Sequence, residues 1–224
     1  MSWQDKLRPV EPYVAGEQPK IVDMIKLNTN ENPYGPSETI KEVLKNIDID
    51  KLRLYPSSDA DDLKKALANY YHLNEDQVFL GNGSDEVLAL TFLTFFNGTD
   101  PVLFPDITYS FYPVYCDLYQ MKYQQIPLDA DFKINLAAFN QPNSGIIFPN
   151  PNAPTGLLVD LEFIETILQN NQDSIVVIDE AYIDFGGTSC VPLINKYDNL
   201  IVTQTYSKSR SLAGIRLGIA LGSK

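Results

Sequence analysis

Residues 175–178 read Ile-Val-Val-Ile, with no polar residue among them. Side chains alternate along a strand, so a strand built from this run is buried on both faces. GIIFPNP (145–151) is a second buried run. QVFLGNG (77–83), PVLFP (101–105), KYQQIPL (122–128), LIVTQTY (200–206) and LGIALG (217–222) add further strand signals. Helical patterns lie between them. Residues 59–71 place Leu63, Ala66, Leu67 and Tyr70 on one face, residues 85–96 are strongly apolar, and 108–118 and 160–169 are helical. Ser37 is placed to cap a helix through Ile40, Val43 and Leu44. Strands separated mostly by helices predict an α/β domain, a mostly parallel seven-stranded sheet flanked by helices. Residues 1–36, rich in Pro, Asn and Gly, read as an N-terminal arm, and residues 37–224 as the domain.

The 224 residues, 44% of them hydrophobic, are enough to bury a core. A formal net charge of -12 makes nucleic acid and anionic membranes poor partners. It also means that any phosphate ligand needs local donors against the mean field. Cys116 and Cys190 stand far apart in no metal spacing, and His72 is the only histidine, a surface or helix-end residue. No metal site is expected. Residues 1–11 are polar rather than signal-like, and no apolar run has the length of a membrane span. The expectation is a soluble cytoplasmic protein.

In parallel sheets ligands gather outside the carboxyl ends of the strands. Four segments fall there: GNGSDE (81–86), PNPNAPTG (149–156), IDEAY (178–182) and TYSK (205–208). Lys208 sits in a loop of small and hydroxyl residues after a buried strand. Partial desolvation there favours a neutral amine, a nucleophile toward an aldehyde. Arg216 offers a fork for a phosphate, and Thr205 and Ser207 add hydroxyls. A solvated surface loop is the other reading. Asp179 ends an apolar strand, where a carboxylate is costly without a positive partner. A protonated pyridine nitrogen is such a partner, and Tyr182 is placed to reach the phenolic oxygen of the same ring. A plain strand-end turn is equally compatible with Asp179. Three prolines stiffen the loop that presents Asn152, although a rigid connection needs no ligand to explain it. Gly83, Ser84 and Asp85 open a helix whose free amides attract anions, but no lysine follows the glycines as in a nucleotide-binding P-loop. Tyr109 follows a strand end and is either a stacking partner for a flat heterocycle or a core aromatic.

The order of these segments is more specific than any one of them. A glycine-rich helix start, then a tyrosine, then PNAPTG, DEAY and SKSRSLAGIR resembles the fold-type-I pyridoxal-phosphate aminotransferases across essentially the whole chain. RPVEPYVAGEQ (8–18), LNTNENPYGPS (27–37) and LYP (54–56) resemble the histidinol-phosphate aminotransferase family within that group. The resemblance implies that pyridoxal 5'-phosphate is the cofactor and that Lys208 carries it and shuttles a proton. Asp179 would pair with the ring nitrogen, Asn152 and Tyr182 would contact the phenolic oxygen, and Tyr109 would stack on the ring. Ser84 and Asp85 (through backbone amides), Thr205, Ser207 and Arg216 would hold the phosphate. Tyr55 would reach the cofactor phosphate of a partner subunit, which implies a homodimer. Tyr13 and Asn30 would line the substrate side.

The implied reaction moves an amino group from histidinol phosphate to 2-oxoglutarate, giving glutamate. Chains of this family continue beyond the last strand signal into a C-terminal small domain. Its arginines bind the substrate's phosphate and carboxylate, and the present chain stops before it. A cofactor-binding but weakly catalytic chain is the corresponding expectation. The same cofactor motifs also serve aromatic amino-acid aminotransferases, amino-acid-phosphate decarboxylases and a non-catalytic cofactor-binding domain. A plain dinucleotide binder needs GxGxxG, and GNGSDE lacks the third glycine.

Overall fold

A computed structural model describes residues 2–8, 10, 16, 17, 21 and 23–224. Seven strands form one sheet: β1 (Val78–Asn82), β2 (Val102–Pro105), β3 (Tyr123–Ile126), β4 (Gly145–Pro149), β5 (Val176–Asp179), β6 (Leu200–Thr205) and β7 (Leu217–Gly222). Their spatial order is β1-β7-β6-β5-β4-β2-β3. Strands β3, β2, β4, β5 and β6 run parallel, and β7 lies antiparallel to both β6 and β1. The predicted, mostly parallel sheet is therefore present, with one reversed strand near its edge.

Five helices accompany the sheet among the described residues: α1 (Glu38–Lys45), α2 (Asp61–Tyr71), α3 (Ser84–Phe95), α4 (Phe111–Tyr119) and α5 (Leu161–Asn170). Ser37 caps α1, its hydroxyl accepting from the Ile40 amide, and the Asp160 carboxylate caps α5 at the Phe163 amide, 2.8 Å away. Helix α4 starts at Phe111 rather than at the predicted position 108. Residues 106–110 instead make the turn out of β2, and the Thr108 hydroxyl donates to Asn152 Oδ1 at 2.9 Å. His72 ends α2 in the left-handed region, at φ 56°, exposed as expected. Both cysteines are free and buried.

The absence of polar alternation in the central strands follows from a core on each side of the sheet. Val176, Ile178, Ile146, Phe148 and Val202 pack on one face with Leu67 of α2 and Ile164, Ile167 and Leu168 of α5. Val177, Ile147 and Ile201 point the other way, onto Leu88 and Phe92 of α3 and Tyr112 and Tyr115 of α4. Each such side chain contributes about 1.5–3 kcal/mol when fully buried. The strand directions then bring the loops together. Pro149 is level with Asp179, Asp179 with Thr203, Thr205 with Gly218, and Gly218 with Gly81. The carboxyl ends of β1, β4, β5 and β6 and the start of β7 meet at one edge. Among the described residues, no helix is long and apolar enough to cross a membrane, and no cluster of His, Cys, Asp or Glu fits a metal ion.

Candidate active site

At that edge lies a cavity of about 240 Å³, lined among others by Ser84, Asp85, Tyr109, Asp179, Tyr182, Thr205, Ser207, Lys208 and Arg216. Segments as distant in sequence as the start of α3 and the loop after β6 thus share one space.

Asp179 forms its floor. Only 4% of the residue is exposed, and no cationic side chain pairs with it among the described residues. Its carboxylate accepts from the Tyr112 hydroxyl at 3.0 Å and from the Ala181 amide at 3.2 Å. Burial pushes the Asp179 carboxyl up to about 6, and the hydrogen bonds from Tyr112 and Ala181 pull the other way. Tyr112 itself is fully buried and held well above the usual tyrosine range by burial and by the adjacent Asp179. It stays a neutral donor.

Lys208 is half-buried and lines the same cavity. Its Nζ donates to the Thr29 carbonyl at 2.9 Å and lies 5.7 Å from the centre of the Tyr182 ring. The Tyr182 hydroxyl accepts from Asn30 Nδ2 at 2.8 Å. Asn32 Nδ2 donates to the carbonyls of Lys208 and Ser209, at 3.2 and 3.1 Å. Residues 29–32 therefore form a strap across the lysine loop.

The remaining wall is a cradle of donors. Thr205 Oγ1 accepts from the Ser207 amide at 3.2 Å and lies 3.0 Å from Ser207 Oγ. Arg216 lies against Gly83, where a Cβ would run into the guanidinium, and Gly83 has φ 86°. A Cβ on Gly218 would strike the backbone of Gly83 and Ser84. The two glycines thus let β7, the Arg216 fork and the start of α3 close on one another. Asp85 accepts from Arg216 Nη2 at 3.2 Å and from the Tyr109 hydroxyl at 3.1 Å. Burial, with Asp85 beside it, holds the Tyr109 hydroxyl far above its ordinary value.

Among the described residues, three expected ones do not line this cavity: Asn152, Tyr55 and Asn30, the last touching it only through the Tyr182 hydroxyl. Asn152 does not line this cavity; its amide donates to the Ile107 carbonyl and the Thr155 hydroxyl, both at 3.0 Å, while its Oδ1 accepts from Thr108. The stiff loop is thus tied to the β2 turn by the side chain expected to face a ligand. Tyr55 is fully exposed and takes no part in lining the cavity of its own chain. Tyr13 lies outside the described residues. Tyr112, Thr29 and Asn32 were not singled out by sequence. Tyr112 falls one helical turn after Tyr109, and Asn32 lies in the Asn-rich segment before Pro33, which were the only signals available.

A mostly parallel α/β sheet with a lysine, a buried carboxylate lacking a cationic partner and an arginine beside a glycine-opened helix start at one strand edge narrows the class. Residues 22–224 match the family model "Aminotransferase class I and II", and the chain belongs to that family. In particular, it is similar to the histidinol-phosphate aminotransferase of Lactococcus lactis subsp. cremoris (strain SK11), with 66% identity over 223 residues, 100% of this chain and 63% of that relative. The chain thus spans less than two thirds of that relative's length. Its fold is similar to the crystal structure of the histidinol-phosphate aminotransferase from Clostridium acetobutylicum, with TM-score 0.80, 26% identity, and coverage of 88% of this chain and 60% of that one. The enzyme from Sinorhizobium meliloti, solved in complex with pyridoxal-5'-phosphate, gives TM-score 0.78 at 23% identity over 87% of this chain and 55% of that one, a likeness of fold.

Proposed function

We propose that the chain is the cofactor-binding part of a histidinol-phosphate aminotransferase, using pyridoxal 5'-phosphate to move an amino group between histidinol phosphate and 2-oxoglutarate. The observation that carries this reading is Asp179, a buried carboxylate without a cationic partner, in the same cavity as Lys208 and Arg216. These residues fit the cofactor at both of its ends. A protonated ring nitrogen supplies the charge that Asp179 lacks, and holds the carboxylate ionised in return. Ser84, Asp85 (by their backbone amides), Thr205, Ser207 and Arg216 match a phosphate in their donor chemistry, and the close Gly83–Gly218 approach brings these donors together.

When bound, the cofactor supplies an electron sink for the negative charge left as the substrate carbon loses its proton. The protein's part is to hold and move that proton, and to fix the geometry. Lys208 would hold the cofactor, and its Nζ would take the substrate's proton as general base and return it as general acid. To do so it must leave the Thr29 carbonyl. Tyr182 and Asn152 are assigned to the phenolic oxygen, Asn152 only if Thr108 or Thr155 gives up its bond. Tyr109, kept neutral beside Asp85, is assigned to the ring face. Tyr13 and Asn30 are assigned to the substrate side. Tyr55, wholly exposed on one chain, is assigned to a second subunit's phosphate in a homodimer. We place the protein in the cytoplasm with small-molecule partners.

The names of relatives at 56–66% identity favour amino transfer over decarboxylation. Half-reactions test this without demanding full turnover from the chain. Pyridoxal phosphate should give a visible absorption band, absent in Lys208→Ala. Histidinol phosphate should bleach the band stoichiometrically, and 2-oxoglutarate should restore it with glutamate. Release of carbon dioxide would point to decarboxylation instead. A folded chain with no band would remove the cofactor reading.

A further inference from the structure

Arg210 lies two residues beyond Lys208, and its side chain runs into a polar recess lined by Tyr71, Asp184, Ser189 and Gln204 rather than into the cavity. Its Nε donates to Asp184 Oδ2 at 3.2 Å. Its Nη2 donates to Gln204 Oε1 at 2.8 Å and to the Tyr71 hydroxyl at 3.2 Å. The guanidinium also stacks 4.6 Å from the centre of the Tyr206 ring. Asp184 accepts from the Ser209 hydroxyl as well, so one carboxylate holds both residues that follow Lys208.

The network continues beneath the sheet edge. Gln204 Nε2 donates to Glu180 Oε2 at 2.8 Å, and Glu180 also accepts from the Ser189 hydroxyl and the Cys190 amide, each at 2.7 Å. Glu180, 2% exposed, is the residue next to Asp179. A polar chain Asp184–Arg210–Gln204–Glu180 therefore runs from the lysine loop to the neighbour of the buried carboxylate. Gln204 lies in β6 and Tyr71 ends α2, so two of the three acceptors that Arg210 uses are anchored in regular structure.

We infer that Arg210 is a positioning residue for Lys208, its fork locking the lysine loop to β6, α2 and the segment after β5 so that the amine stays at the cavity over the Tyr182 ring. The inference rests on the reading of Lys208 as the lysine that carries the cofactor. A lysine at 210 would keep the charge beside Asp184 but could not span the three acceptors, because it lacks the planar fork. Misplacing a reacting group by an ångström slows its reaction steeply.

The test uses the full chain with Arg210→Gln, Arg210→Lys and Asp184→Asn. Each is mixed with pyridoxal phosphate, quenched with borohydride at intervals and mapped for label, with circular dichroism to establish folding. The readout is the labelling rate of Lys208 relative to the exposed Lys45 and Lys224 in the same sample. R210Q is expected to lower that ratio about tenfold, and R210K to lower it as well, because a lysine keeps the charge but lacks the fork. A folded R210Q with the wild-type ratio overturns the inference. If R210Q does not fold, D184N carries the test: a folded D184N with a lowered ratio supports the inference, and an unchanged ratio overturns it. A folded wild-type chain with no label on Lys208 removes the reading beneath the inference, and the inference with it. That outcome is told apart because it needs no substitution.

Discussion

The chemistry of this chain turns on what surrounds Asp179. Its position at the end of an apolar strand was visible in the sequence, and so was its need for a positive partner. The hydroxyl of Tyr112, 67 positions away in sequence, was not, because only the packing of α4 against the sheet brings the two together. Burial raises the folded carboxyl to about 6 from 3.8, so the folded chain binds the proton more tightly than the unfolded one. The chain without cofactor should therefore be most stable below about pH 4 with respect to this group, and should lose stability as pH rises through about 6. A rise of that size corresponds to a loss on the order of 2–3 kcal/mol. Asp85 adds to the rise as a like charge, and the Tyr112 hydroxyl and Ala181 amide face the carboxyl from α4 and the following loop. Glu180, also raised by burial, acts in the same direction. Asp179→Asn should flatten most of the decline in urea midpoints between pH 4 and 7; an equal decline in both proteins would mean that Asp179 is not the titrating group. Asn152 is the opposite case. Its loop was legible from Pro149, Pro151 and Pro154, yet the sequence did not reveal that Thr108 and Thr155 would occupy its side chain.

At the scale of elements, the seven strand signals coincide with the seven strands; the unbroken apolar runs of β4 and β5 admit few other structures, whereas β3 reads YQQI and is mostly exposed. The reversal of β7 was not anticipated, although a physical sign was present. Only residues 206–216 join β6 to β7, with a short 3-10 turn at Ala213–Ile215, whereas a parallel crossover needs a dozen or more residues and usually a helix. The reversal matters for the site, since it brings Gly218 against the start of α3. Gly218→Ala would press a methyl group into the backbone of Gly83 and Ser84, which cannot swing aside as a side chain can. We expect a loss of about 1–3 kcal/mol and weaker binding of inorganic phosphate than in the wild-type chain, measured by thermal melting and calorimetry. Unchanged melting and phosphate binding would show that the cradle has slack.

On the scale of the whole molecule, a well-packed sheet contrasts with an open N-terminal side. The central strands are buried on both faces, but α1 buries none of its side chains, and Ile25 and Leu27 are each 85% exposed. Surface of this kind is what subunit or domain contacts cover. The expected reach of Tyr55 into a second subunit rests on resemblance alone, because one chain's periodicity does not say what lies across an interface. The chain spans 63% of the length of its relative from L. lactis. What the cavity supports is the proposal that Lys208 takes the cofactor. The most direct measurement is borohydride reduction of the chain mixed with pyridoxal phosphate, followed by peptide mapping. One pyridoxyl group per chain, on Lys208, is the expected result. Label spread over exposed lysines, or no label on a folded chain, would contradict the assignment of Lys208.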